Sequence, residues 1–100
     1  MLENRNENIT INTGQKFTIS LESKPTSGFR WHPTSDQSII SLISHNFQPT
    51  SSIVIGSSGK DIFTLKAINP GATVLKMVYK RSWEQQFVAE KKFFIDVRQY

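Results

Sequence analysis

Apolar and polar residues alternate with a period of two over most of the chain. Phe17, Ile19 and Leu21 interleave with Thr18, Ser20 and Glu22, as a strand with one face in a core requires. A shorter extended piece around Ile9-Thr10-Ile11 precedes it, joined through Asn12-Thr13-Gly14, where Gly14 is free to take a positive φ. Phe29-Arg30-Trp31-His32 is short, aromatic and stopped by Pro33, which cannot donate to a central ladder. Ile39 to Ile43, followed by Asn46-Phe47, is β-branched and bounded by polar turns, which predicts a fourth strand opening in a short helical turn. Phe63, Leu65 and Ala67 form a fifth, ending at the turn Asn69-Pro70-Gly71, and Leu75, Met77 and Tyr79 a sixth. In Phe87 to Val97 one face carries Phe93, Ile95 and Val97, and a bulge is expected near Glu90.

Seven strands with recurrent turn signals and no helical period predict an all-β fold, an immunoglobulin-like antiparallel β-sandwich. The chain of 100 residues has room for one core, since domains of this size bury roughly 60 to 70% of their unfolded surface. Residues 1–100 are therefore read as a single domain, with 1–8 as a flexible arm. The Cys-Trp-Cys signature of antibody domains is missing because the chain has no cysteine. That also removes disulfides, thiolate metal sites and thiol catalysis.

Charge changes the picture little. A formal net charge of +4 comes from scattered basic residues, densest at Lys80-Arg81 and Lys91-Lys92, with no run of the kind that marks a nucleic-acid tail. Scattered Lys is more often a solvated face than a binding surface. No apolar run approaches the roughly 18 residues of a membrane helix. The polar opening from Met1 to Asn8 carries no apolar leader, so a cytoplasmic protein is expected. Loss of a signal peptide ahead of this numbering would instead imply a secreted or lysosomal one, with Asn8-Ile9-Thr10 as a glycosylation sequon. His32 and His45 have no acid or thiol at ligand-like spacing, and the eight carboxylates offer no paired acid–base site. No cofactor, metal or catalytic residue is expected, and the chain reads as a non-enzyme.

The connections carry more chemistry than the strands. In an antiparallel sandwich the second, fourth and sixth connections emerge at one end. The second, Lys24-Pro25-Thr26-Ser27-Gly28, is stiffened by Pro25 and Thr26 and released by Gly28; it also reads as a plain turn. In the fourth, Gly56-Ser57-Ser58-Gly59 permits close backbone approach, or is simply a flexible loop. It is not a phosphate loop: two residues, not four, separate Gly56 from Gly59-Lys60, and Asp61 follows. The sixth, Lys80-Arg81-Ser82-Trp83-Glu84-Gln85, puts a Trp among charges at a hairpin tip. That suggests an interface anchor, the alternative being packing across its own hairpin. Trp31, by contrast, belongs in the core.

At these three loops the sequence resembles the chagasin family of cysteine peptidase inhibitors. That family has a second-connection pattern Asn-Pro-Thr-Thr-Gly-aromatic-x-Trp, a fourth Gly-x-Gly-Gly and a sixth Arg-Pro-Trp. Here they read Lys24-Pro25-Thr26-Ser27-Gly28-Phe29-Arg30-Trp31, Gly56-Ser57-Ser58-Gly59 and Arg81-Ser82-Trp83. Lys24, Ser27, Ser58 and Ser82 depart from the pattern, so the loops are expected to differ in shape from those of typical members. The resemblance implies reversible, tight-binding inhibition of a papain-like, cathepsin-like cysteine peptidase by a protein that is monomeric when free. Lys24 to Phe29, Gly56 to Gly59 and Arg81 to Trp83 would enter its cleft. The competing expectation is an immunoglobulin-like adhesion or carbohydrate-binding module stacking sugars on Phe94 or Trp83; a basic nucleic-acid binder using Lys76, Lys80, Lys91 and Lys92 ranks below both.

Overall fold

A computed structural model of the chain describes residues 5–24, 28–49 and 59–99. Seven strands run in chain order: β1 Arg5–Asn12, β2 Lys16–Ser23, β3 Phe29–Thr34, β4 Ile40–Pro49, β5 Gly59–Ala67, β6 Gly71–Arg81 and β7 Ala89–Arg98. No helix occurs among the described residues. The strands form two sheets, a four-stranded one in the order β1-β7-β6-β3 and a three-stranded one in the order β2-β5-β4. This is the sandwich that the alternation predicts.

Parity along the strands builds the core. Ile19 and Leu21 of β2, Phe63, Leu65 and Ala67 of β5, Leu75, Met77 and Tyr79 of β6, and Phe93, Ile95 and Val97 of β7 all face inward. Phe63, Phe93, Ile40, Leu75, Met77 and Ile95 are the largest fully buried side chains. Burying each such side chain contributes roughly 1.5 to 3 kcal/mol. Trp31 is buried with them, as expected, and its Nε1 donates to the Glu22 carbonyl at 2.9 Å. That bond links β3 to β2, one strand from each sheet.

Three local expectations are corrected. β1 begins at Arg5 and pairs parallel with β7, Arg5 opposite Lys91 through Asn12 opposite Arg98. Residues 5–8 therefore belong to a strand and cover an edge of β7, instead of forming an arm. β3 continues through Pro33 to Thr34, which is tolerated because β3 lies at the edge of its sheet, where a missing donor faces away from the ladder. β7 has no bulge near Glu90, because Ala89 to Val97 keeps one register against Tyr79 to Gly71 without a slip. The irregularity lies instead in β4, between Leu42 and Ser44.

The turns follow the sequence more closely. Gly14 has φ +91° and its amide donates to the Ala67 carbonyl, while Gln15 N donates back to the Asn12 carbonyl. Ahead of β4, the Asp36 carbonyl accepts from the Ile39 and Ile40 amides, which is the expected helical turn. The Asp36 carboxylate accepts first from the Ser38 hydroxyl at 2.6 Å and then from the Ser38 amide at 3.0 Å, and these bonds hold its pKa below the usual carboxylate value.

Candidate functional site

Register fixes where the three candidate loops emerge. Ser23 at the end of β2 pairs with Gly59 at the start of β5, and Gly59 with Pro49 at the end of β4. Phe29 at the start of β3 pairs with Arg81 at the end of β6, and Tyr79 with Ala89 at the start of β7. The Lys24 amide donates to the Tyr79 hydroxyl at 3.0 Å, tying the end of β2 to β6 of the other sheet. The β2–β3, β4–β5 and β6–β7 connections thus share one pole, as the count of chain reversals predicts. Pro25, Thr26 and Ser27, and Gly56, Ser57 and Ser58, lie outside the described residues; Lys24, Gly28, Phe29, Gly59, Arg81, Ser82 and Trp83 lie within them.

An ordered column rises from the core to this rim. The ring of Trp31 packs on Tyr79 at 4.8 Å between centroids, and Tyr79 stacks on Phe29 at 5.5 Å. The Arg81 guanidinium lies over Phe29, 4.6 Å from the ring centre, a cation–π contact that fixes both side chains. Arg81 Nη1 also pairs with Glu84 Oε1 at 3.2 Å, and Lys80 Nζ donates to the Glu84 carbonyl at 2.9 Å. The hairpin is closed by Glu84 N donating to the Arg81 carbonyl and Val88 N to the Tyr79 carbonyl.

Trp83 stands at the top of this column and is 74% exposed. Its indole lies near the neighbouring loop: a Cβ placed on Gly28 would sit 3.4 Å from Trp83 Cη2 and 3.9 Å from Arg81 Nε. Gly28 has φ +83°, which favours glycine. The ring edge lies beside Gly28 of the adjoining connection while most of the residue's surface faces solvent, as an interface anchor requires.

Gly59 is where the β4–β5 connection is gripped. A Cβ there would collide with the Gln48 carbonyl and approach Pro49 Cα to 2.8 Å and Phe47 Cζ to 2.5 Å. The position needs glycine for space. β5 begins at this residue, so Gly59, expected in the loop, is a strand residue. Ser23, opposite Gly59, has a buried hydroxyl with no hydrogen-bond partner among the described residues.

Sequence reasoning missed Tyr79 as a support of the β2–β3 loop, because parity marks a core face but says nothing of a hydroxyl. It also missed Phe87 and Val88, which were assigned to a strand and are 46% and 51% exposed in the β6–β7 connection. Phe94, the sugar-stacking candidate, faces outward from the four-stranded sheet beside a shallow hollow of about 420 Å³ also lined by Asn8 and Val74. It belongs to a different surface from the rim. No group of three or more His, Asp or Glu that could hold a metal ion occurs among the described residues. Tyr79→Phe, which withdraws the acceptor from the Lys24 amide, is expected to cost about 1 kcal/mol of stability in a urea titration, with a larger relative effect on the rim than on the core.

The sequence profile described as Chagasin family peptidase inhibitor I42 matches residues 10–97. The chain belongs to the chagasin family of peptidase inhibitors, and it is an inhibitor of cysteine peptidases and not an enzyme. Among individual relatives, it is 26% identical over 81 residues to Amoebiasin-1 of Entamoeba histolytica, covering 81% of this chain and 79% of that one. To Chagasin of Trypanosoma cruzi it is 25% identical over 80 residues, 75% of this chain and 73% of the other. In fold it resembles the cysteine protease inhibitor EhICP2 of Entamoeba histolytica, with TM-score 0.75 at 19% identity over 98% of this chain and 100% of that one. It is similar also to PbICP-C in its complex with falcipain-2, with TM-score 0.72 at 14% identity over 96% and 90% of the two chains.

Proposed function

We propose that the protein inhibits papain-like cysteine peptidases by seating its loop rim in the active-site cleft as a rigid, non-covalent wedge. The observation that carries this reading is the closeness of Trp83 and Arg81 to Gly28, where an added Cβ would meet both side chains, so that the β2–β3 and β6–β7 connections adjoin at Gly28. Support comes from the shared pole of all three connections and from the solved relative that sits in complex with falcipain-2.

Thr26 is then nearest the catalytic cysteine and histidine. Gly56 to Gly59 runs along the non-primed subsites, pairing through its backbone, and Arg81, Ser82 and Trp83 pack on the primed side. Lys24, Pro25, Ser27, Gly28 and Phe29 shape and flank the central loop. Inhibition follows from geometry. The β2–β3 loop is anchored at both ends, by the Lys24–Tyr79 bond and by the start of β3 at Phe29, which opposes its binding as an extended substrate. Phe29, Tyr79 and Arg81, already packed on one another in the free protein, avoid roughly 0.5–1.5 kcal/mol of ordering cost for each fixed side chain. Mild positive charge adds attraction to a peptidase with an acidic surface. The free protein is read as a monomer.

Titration of papain with the protein, followed with a fluorogenic substrate, is expected to show competitive inhibition, with the inhibitor recovered at unchanged mass. Absence of inhibition, or cleavage between Lys24 and Phe29, would overturn the reading.

A further inference from the structure

We propose that His45 and Asp61 form a register lock for β4, making His45 a positioning residue for the β4–β5 connection; this rests on the reading of that connection as part of the inhibitory rim. The need for such a lock is visible in β4 itself. β4 lies at the edge of its sheet and pairs only with β5. Its register shifts between Leu42 and Ser44, so Ser44 to Pro49 is aligned independently of the first turn of the strand.

Hydrophobic burial does little to fix that second half. Its inward side chains His45, Phe47 and Pro49 are all exposed, Phe47 to 38%. The outward-facing residues are Ser44, Asn46 and Gln48, all polar and uncharged. A strand with so weak an inward face is prone to slip. Slippage by two residues would keep every side chain on its face while changing the length of chain left between Pro49 and Gly59.

Asp61 opposes this. Its side chain is 5% exposed, and its Oδ1 lies 2.9 Å from His45 Nε2. The contact is diagonal across the ladder, since His45 stands opposite Phe63 and Phe47 opposite Asp61. The imidazole also lies flat on Phe63, 4.2 Å between ring centres and 8° between planes. His45 is thus held edge-on by a carboxylate and face-on by a core aromatic. A two-residue slip breaks both contacts and strands a buried carboxylate, which is far more costly than the intact pair is stabilising.

The charged neighbours do not offer a substitute. β4 contains no Lys, Arg, Asp or Glu, Lys60 and Lys66 of β5 alternate to the outer face, and the inward residues of β2 beside Asp61 are Leu21 and Ser23. Gly59 makes a second stop, because its close approach to Gln48 and Pro49 tolerates no Cβ-bearing residue in its place. The correct register leaves Thr50 to Ser58 as the connection, the length on which Gly56 to Ser58 depends for reaching a cleft.

The test compares His45→Ala and His45→Gln, each in the parent and in a background lacking Gly56 to Ser58, by inhibition of papain and by cross-strand nuclear Overhauser contacts. In the parent background, His45→Ala is expected to weaken inhibition about tenfold, the scale of re-ordering one or two side chains on binding. His45→Gln, whose amide can still donate to Asp61, should recover most of that. Without Gly56 to Ser58, His45→Ala should change inhibition less than about twofold, which separates positioning from general stability. The Phe47–Asp61 contacts should persist in His45→Gln and be lost or doubled in His45→Ala. Equal loss of inhibition in both backgrounds, or an unaltered set of cross-strand contacts in His45→Ala, would overturn the lock. If the parent does not inhibit papain at all, the rim reading fails on its own, and the cross-strand contacts still decide the lock.

Discussion

Trp83→Ala is expected to raise the inhibition constant against a papain-like peptidase by about thirtyfold or more while leaving the melting temperature of the free protein nearly unchanged. The first half follows from exposure and position together. A Trp that is 74% exposed with its ring edge beside Gly28 offers large contact area to a partner, and truncating such anchors costs about 2 kcal/mol or more. The second half follows because the ring contributes little burial to the free fold. Titrated inhibition and a thermal melt on the same preparation check both halves. An inhibition constant that does not move would remove the β6–β7 loop from the binding surface, and a large fall in melting temperature would make Trp83 a packing residue of the hairpin.

Gly59→Ala should act in the opposite way, through the fold first and inhibition second. The added Cβ meets backbone atoms of Gln48 and Pro49, which cannot rotate aside as a side-chain end would. β4 must move away from β5 at the root of their connection. Forced overpacking of this kind typically costs 1–3 kcal/mol, and about 2 kcal/mol corresponds to a fall of roughly 8–16 °C in a domain of this size. Inhibition should weaken as well, because the displaced strand carries one of the three loops. A melting temperature within a degree or two of the parent would mean that β4 yields easily, and would weaken the description of Gly59 as a fixed point.

The parts of this molecule that could be read from the chain are those governed by local alternation. Met77, Phe93 and Phe63 sit inside because their neighbours on either side are polar or outward-facing, and the period of two assigns them a face without knowledge of the partner strand. The partner strand is a different matter. Nothing in Arg5 to Asn12 states that it will lie parallel to β7, since both its polar and its apolar residues suit either direction. Pro33 looked like a stop signal because its lost donor matters in a central strand, whereas β3 proved to be an edge. Of the site, the sequence revealed the residues whose chemistry is odd for a turn, Trp83 above all. It concealed the residues that hold them. Tyr79 meets Lys24 across 55 positions, and His45 meets Asp61 across 16, distances over which no spacing rule operates.

The parallel seating of β1 on β7 also sets the polarity of the molecule as an object to be handled. Arg5 lies opposite Lys91, near the start of β7 and so on the side of the loops, whereas Arg98 ends β7 at the far side. A tether joined beyond Arg98 would therefore leave the rim facing outward from a sensor chip or bead, while a bulky fusion ahead of Arg5 would emerge beside it and shield an incoming enzyme.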